Sequence, residues 1–251
     1  LLDDLDAFPT HSRVLTPETE FGDMYLIEIS RGCGRGCRFC LAGYLYRPVR
    51  QRSIPAVLAQ AEEGLRFRRT IGLVGAAISD YPHIDDLLGG LRNLGARVAV
   101  SSLRVHPLPE SLLSALAESG TQTLTLAPEA GSERLRRAIS KGVTREHVLA
   151  AAERAAQHGF AQLKLYFMIG QPTETDQDIE ALIRTVQEIS RIAATVSRRK
   201  MVHVSISPFS PKPHTPFQWE PMDGIDVLLE KSRRIKNRLS ALRNVKISYR
   251  N

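Results

Sequence analysis

The sequence has no apolar run long enough to span a bilayer, and its start lacks the basic, apolar and small-residue succession of a signal peptide. A cytoplasmic protein with no membrane contact is therefore expected. Cysteine is scarce as well: all three fall within eight positions and leave none for long-range bridges, which argues against a disulfide-built secreted scaffold. Aromatic residues make up only 6% of the chain, and none interleave with the basic residues as a base-stacking surface requires. The sequence shows no phosphate-cradling Gly-x4-Gly-Lys-Ser/Thr loop and no Ser/His/Asp nucleophile set, which leaves NTPase and hydrolase chemistry without support.

What is present suits one large domain. With 251 residues, 43% apolar and 24% charged, the chain can bury a substantial core. Short β-branched or apolar runs begin at Met24–Ile29 and recur at Ile71–Ala77, Arg97–Ser102, Thr121–Ala127, Leu163–Ile169 and Val202–Ser207, which predicts six strands. Amphipathic stretches lie between them at Ile54–Arg68, Asp85–Leu94, Pro109–Ser119, Thr144–His158, Asp176–Ala194 and Ile225–Leu242. Gly95, Gly120 and Gly159 follow last turns, where a glycine takes a positive φ, and Thr175 with Asp178 three residues on marks a helix start. Strand and helix repeated six times, with crossovers of this length, imply parallel strands and right-handed connections. An α/β fold follows, an open (β/α)6 partial TIM barrel over residues 23–251. Residues 1–22, with Pro9 and Pro17, read as a linker from an upstream domain, and the Leu-Leu-Asp-Asp opening fits a segment of a longer protein.

The formal net charge is +7. It is carried partly by Arg35, Arg38, Arg47, Arg50 and Arg52, and partly by the runs Arg198-Arg199-Lys200 and Arg233-Arg234. Such a balance raises the odds of an anionic ligand, cofactor or nucleic acid, with a solvated basic surface favoured over dedicated RNA binding.

The three cysteines stand in Cys33-Gly34-Arg35-Gly36-Cys37-Arg38-Phe39-Cys40, a Cys-x3-Cys-x2-Cys pattern in the loop after the first strand. In parallel βα folds that end of the strands collects the active site. Three thiolates on a short glycine-containing loop can close around three irons of a cubane, and the fourth iron is then left open, unlike an electron-transfer cluster held by four cysteines. Structural zinc prefers four ligands in two close pairs. No second pair exists here, and His83 and His106 are distant in sequence. A non-catalytic module holding zinc or iron, with RNA on its basic face, stays open as the alternative.

The cysteine pattern resembles the signature of the radical S-adenosylmethionine (radical SAM) superfamily. The resemblance implies a 4Fe-4S cluster on Cys33, Cys37 and Cys40, SAM chelating its open iron, and a 5'-deoxyadenosyl radical formed with one electron from a reducing donor. It runs from Met24 to the 220s. By it, Phe39 packs near the adenine, and Gly75 and Ala76 meet the SAM amino group through backbone. Glu129 contacts the ribose, and Lys141, twelve residues on, pairs with the SAM carboxylate. Met168 and Ile169, before Gly170-Gln171-Pro172, line the adenine pocket. Ser207 and Phe209 belong to the segment that reads the adenine, and Arg104, at the end of the third strand, reaches SAM, substrate or a structural ion pair.

The stretch from Cys40 to Ser53 further resembles a branch that follows a cobalamin-binding domain, and the methylthiotransferases. A corrinoid held by an upstream domain is then a second cofactor, and RNA or protein the substrate. Tyr44, Tyr46, Arg47, Arg50 and Arg52 would gate the cluster, contact an anionic substrate or shield the cluster from water.

Overall fold

The computed structural model describes residues 2, 4–197 and 199–249; Arg198 of the basic run, and Leu1 and Asp3 of the opening, lie outside the described residues. The first strand, β1 (Met24–Glu28), continues into β2 (Ser30–Arg31), which pairs antiparallel with β3 (Arg50–Gln51) and closes a hairpin around the cysteine loop. Then follow α1 (Ile54–Leu65), β4 (Thr70–Val74), α2 (Ile84–Asn93), β5 (Arg97–Ala99), α3 (Glu110–Glu118), β6 (Thr123–Glu129), α4 (Glu133–Ala138) and α5 (Arg145–Gln157). The chain ends in β7 (Gln162–Ile169), α6 (Asp176–Val196), β8 (Met201–Pro208), α7 (Ile225–Leu239) and β9 (Val245–Tyr249).

One parallel sheet has the order β1-β4-β5 and the other β6-β7-β8-β9. A parallel bridge between Leu103 and Leu126, with the Leu103 N–H donating to Thr125 O at 2.9 Å, joins them into one wall. Strand-helix repetition thus gives the expected open barrel, with seven parallel strands in place of six and the short β2–β3 hairpin beside them. β9 was not anticipated, and the last helix stops at Leu239 instead of running on to Leu242. The second strand also ends early, at Val74, which leaves Gly75, Ala76 and Ala77 in a loop at the barrel mouth.

Side chains alternate across each strand. Leu124, Leu126, Leu163, Leu165, Phe167, Val202 and Val204 are buried in one core with the helices, while Thr125, Lys164, Tyr166, Met168, His203 and Ser207 take the opposite, inward positions. Helix starts follow their caps: Ser53 Oγ accepts the Ala56 N–H at 3.3 Å, and the Asp178 carboxylate accepts the Thr175 N–H at 2.8 Å. The positive φ angles expected at Gly95, Gly120 and Gly159 are present.

The segment ahead of β1 is packed on the barrel. Leu5 is buried, His11 bridges antiparallel to Ile27, and the Glu28 N–H donates to Thr10 O at 2.9 Å along the free edge of β1. No helix of the described residues is long and apolar enough to cross a membrane.

Candidate active site

The hairpin of β2 and β3 fixes both ends of the loop that carries the cysteines. Gly32 sits at φ +88°, where a Cβ would stand 2.1 Å from Tyr46 O, so the strands of the loop cross at a point that only glycine permits. The Cys33 N–H donates to Ala42 O at 3.1 Å, the Cys40 N–H to Cys37 O at 3.1 Å and the Tyr44 hydroxyl to Gly36 O at 2.9 Å. Arg38 ties the loop to the end of α4, its N–H donating to Ile139 O at 3.0 Å and its guanidinium to Ala138 O at 2.9 Å.

All three thiols are free, with Cys33 and Cys37 buried and Cys40 half-buried. Burial pushes the Cys37 thiol up, against the ammonium of Lys141 and the guanidinium of Arg104, which pull it down. A buried thiol held protonated becomes a thiolate when a metal takes its proton's place. Among the described residues, no three His, Cys, Asp or Glu side chains converge on a single ion. His83 is exposed beside Asp86, and the His106 ring stacks on His147 at 3.9 Å, so neither completes a zinc site with the cysteines. Three separate thiols on one loop fit a cubane that takes one thiolate per iron at three corners.

Two charged groupings stand beside the loop. Lys141 Nζ lies 3.1 Å from Glu129 Oε1, with the two side chains only 8% and 15% exposed. Glu129 adopts φ +68° where the β6–β7 register shifts, and Lys141 sits in the turn between Ser140 and Gly142, both of positive φ. The second grouping is Asp80, which accepts two hydrogen bonds from Arg35 at 2.7 and 2.9 Å and lies 3.7 Å from Arg104 Nε. Arg104 thus holds a structural ion pair near Cys37.

The remaining predicted residues divide. Phe39 packs against an apolar cluster of Ala130, Leu135, Ile139, Phe209 and Phe217, which brings Phe39 and Phe209 together. Met168 and Ser207 take inward positions at the mouth. Ile169 does not: one residue further along the strand its side chain turns to the helix side, buried at 2% and facing α7, which corrects its placement with Met168. Gly75 lies so close to β2 that a Cβ would stand 2.5 Å from Ser30 Oγ, and Ala76 is exposed. Arg52 is also corrected. Far from gating the cluster, it is 1% exposed and donates to Glu28 O at 3.0 Å, Phe8 O at 3.2 Å and Leu5 O. Arg47 is exposed and Arg50 half-buried, both on backbone carbonyls, and Arg47 lies over the Tyr44 ring.

Sequence reasoning missed Gln171. Its amide nitrogen donates to Glu129 O and Met168 O, both at 3.0 Å, while its buried Oε1 has no partner among the described residues. A polar residue inside the Gly-x-Pro turn was the available signal.

The family model described as Radical SAM superfamily matches residues 27–186. An uncharacterized protein of Methanocaldococcus jannaschii is 36% identical over 98% of this chain and 53% of its own length. A tRNA-2-methylthio-N(6)-dimethylallyladenosine synthase of Dehalococcoides mccartyi is 26% identical over 84% of this chain and 51% of its own. The chain thus spans about half the length of these curated relatives. In fold it is similar to Streptococcus suis SuiB bound to S-adenosylmethionine, with a TM-score of 0.62, 16% identity, and 91% of this chain and 50% of that one covered. The match runs from the end of the first strand through the cysteine loop, the Glu129–Lys141 pair and β7 into α6, and the chain belongs to the radical SAM superfamily.

Proposed function

We propose that this chain holds a 4Fe-4S cluster on Cys33, Cys37 and Cys40 and cleaves SAM reductively, passing the radical to a substrate bound inside the barrel. The observation that carries this reading is three free thiols on one tied loop, with a nearly buried ammonium–carboxylate pair beside them. When bound and reduced, the cluster supplies the electron that breaks the sulfonium bond of SAM, giving methionine and the 5'-deoxyadenosyl radical.

The protein's own part is to bind and orient. Lys141 offers its ammonium to the SAM carboxylate, a point charge already held by Glu129. Glu129 keeps an oxygen for the ribose hydroxyls, and the Gln171 amide fixes the carbonyls on either side. Phe39 and Phe209 brace the adenine end, with Met168 and Ser207 lining the mouth. Gly75 and Ala76 present backbone to the SAM amino group. The Asp80–Arg35–Arg104 network holds the loop and keeps two guanidinium charges near the cluster.

Residues 23–251 act as the radical SAM core and 1–22 as the join to an upstream domain. A one-electron donor is required, and the reducing cytoplasm suits free thiols of this kind. The name of the Dehalococcoides relative favours a methylthio group as what is transferred.

Anaerobic reconstitution with iron and sulfide, dithionite reduction and an assay for 5'-deoxyadenosine test the reading. Turnover of SAM that disappears in Cys37→Ala is expected. Stoichiometric zinc with no cluster and no 5'-deoxyadenosine would overturn it in favour of a structural module.

A further inference from the structure

Closed TIM barrels fill their interior with layers of bulky branched side chains. In this barrel the sheet β6-β7-β8-β9 does otherwise. Lys164, His203 and Lys246 are register partners on three adjacent strands, and Tyr166, Ser205 and Ser248 form the layer above them. Lys164 and His203 take inward positions, because the residues flanking them on each strand are buried against the helices. Lys246 and Ser248 share that face through their register with His203 and Ser205. Across the interior, β1 contributes Met24 and Leu26, whose side chains lie against the open face of Gly72.

The charges in this layer do not balance. Neither Lys164 nor Lys246 has a carboxylate partner or a hydrogen bond among the described residues; Lys164 Nζ lies 5.2 Å from the centre of the Tyr166 ring. His203 Nε2 is 2.9 Å from Ser248 Oγ. Burial and then the two lysines push the His203 pKa down, so the ring stays neutral between two cations. The carboxylates Glu28 and Glu129, at the mouth end of their strands, are already paired with Arg31 and Lys141. Lys164 is half-buried and Lys246 exposed, and an anion that reaches both meets two cations that no carboxylate among the described residues neutralises.

We infer that Lys164 and Lys246, braced by Tyr166 and His203, form the anchoring subsite for an anionic group of the radical acceptor, a carboxylate or a phosphate carried away from the reacting carbon. The inference rests on the radical SAM reading and deepens it by naming the substrate class. Lys164 lies four residues below Met168, about 13 Å along the strand at roughly 3.3 Å per residue. That depth is too great for the SAM carboxylate beside Lys141, and it leaves room for a substrate whose reacting carbon is near the mouth. Entry is from the β9 side, where β9 pairs only with β8 among the described residues and Lys246 is exposed. Met24 and Leu26 opposite provide an apolar wall for an aliphatic segment.

Titration calorimetry of hexanoate and of inorganic phosphate, on the protein as isolated and after cluster reconstitution, tests the subsite. At least one anion should bind, and the tighter of the two names the group. Lys164→Met and Lys246→Met should each weaken binding about ten-fold or more, as loss of a charged hydrogen bond does. Lys164→Arg should retain it, and Lys236→Met, at an exposed lysine on α7, should not change it. Unchanged unfolding midpoints in the two methionine variants show that the loss is local. Failure of both anions to bind, or binding that survives both methionine substitutions, overturns the inference. Formation of 5'-deoxyadenosine by the unsubstituted protein without added anion reports separately on the radical reading, so that either can fail while the other stands.

Discussion

Replacing Lys141 with methionine separates its ion pair with Glu129 from the SAM contact proposed for the same ammonium. Lys141 Nζ neutralises Glu129 at 3.1 Å, with side chains 8% and 15% exposed. Removing one member of a buried pair costs about 3–5 kcal/mol, and the residual exposure puts this pair at the lower end, about 3 kcal/mol. In a domain of this length that lowers the unfolding midpoint by about 6–12 °C. Glu129→Gln on the same background removes the stranded carboxylate and should recover most of that loss. SAM affinity should stay low even where the second substitution recovers stability. A charged hydrogen bond contributes about 1.5–3 kcal/mol, so Lys141→Met should weaken SAM binding roughly ten- to hundred-fold, and Glu129→Gln, which alters the ribose contact, should not restore it. The assays are thermal unfolding and SAM binding on the reconstituted protein. Full SAM affinity in Lys141→Met would refute the assignment and leave Lys141 as the counter-ion of Glu129 only.

Other substitutions probe the scaffold. In Gly131→Ala the new Cβ would stand 2.0 Å from Leu182 N on α6, backbone that cannot yield, and about 3 kcal/mol or more should be lost; Gly89→Ala, with nothing within 4 Å, should be neutral or stabilising in chemical denaturation. Arg52→Met leaves three backbone carbonyls without their guanidinium, for about 3 kcal/mol at roughly 1 kcal/mol each, and should expose residues 4–12 to limited proteolysis; an unchanged digestion pattern contradicts this. His203 has its pKa held below the ordinary 6.5, so the unfolded chain binds the proton first and stability should fall as pH drops below about 6.5. His203→Gln should reduce that slope and His106, shifted in the same direction, should supply part of the remainder; an unaltered profile would exclude His203 as a cause.

Periodicity and spacing carried the sequence reading furthest. The alternation of strands and helices, the glycine at helix ends and the three-cysteine loop each follow from local physics, and the loop's position after β1 followed from the barrel. What escaped depended on contacts between distant segments. Val245-Lys246-Ile247-Ser248-Tyr249 alternates as a strand should, but it is short, and its pairing with β8 lies more than forty residues back. Ile169 reads as pocket because Phe167, Met168 and Ile169 are all apolar, and only the alternation of the strand separates Met168 inward from Ile169 outward. Arg52 sits in an arginine-rich run that looks exposed; the carbonyls of Leu5 and Phe8 that bury it belong to a segment more than forty residues earlier. The unpaired lysines of the lumen were likewise invisible, since Lys164 and Lys246 meet only through the register of β7, β8 and β9.

Mössbauer spectroscopy of the protein reconstituted with iron-57 addresses the open iron of a three-cysteine cluster most directly. Cys33, Cys37 and Cys40 leave one corner of a cubane without a protein thiolate, so SAM should move the spectrum of one iron in four and leave the other three unchanged. Four irons that are all indifferent to SAM, or zinc in place of iron, would contradict the account.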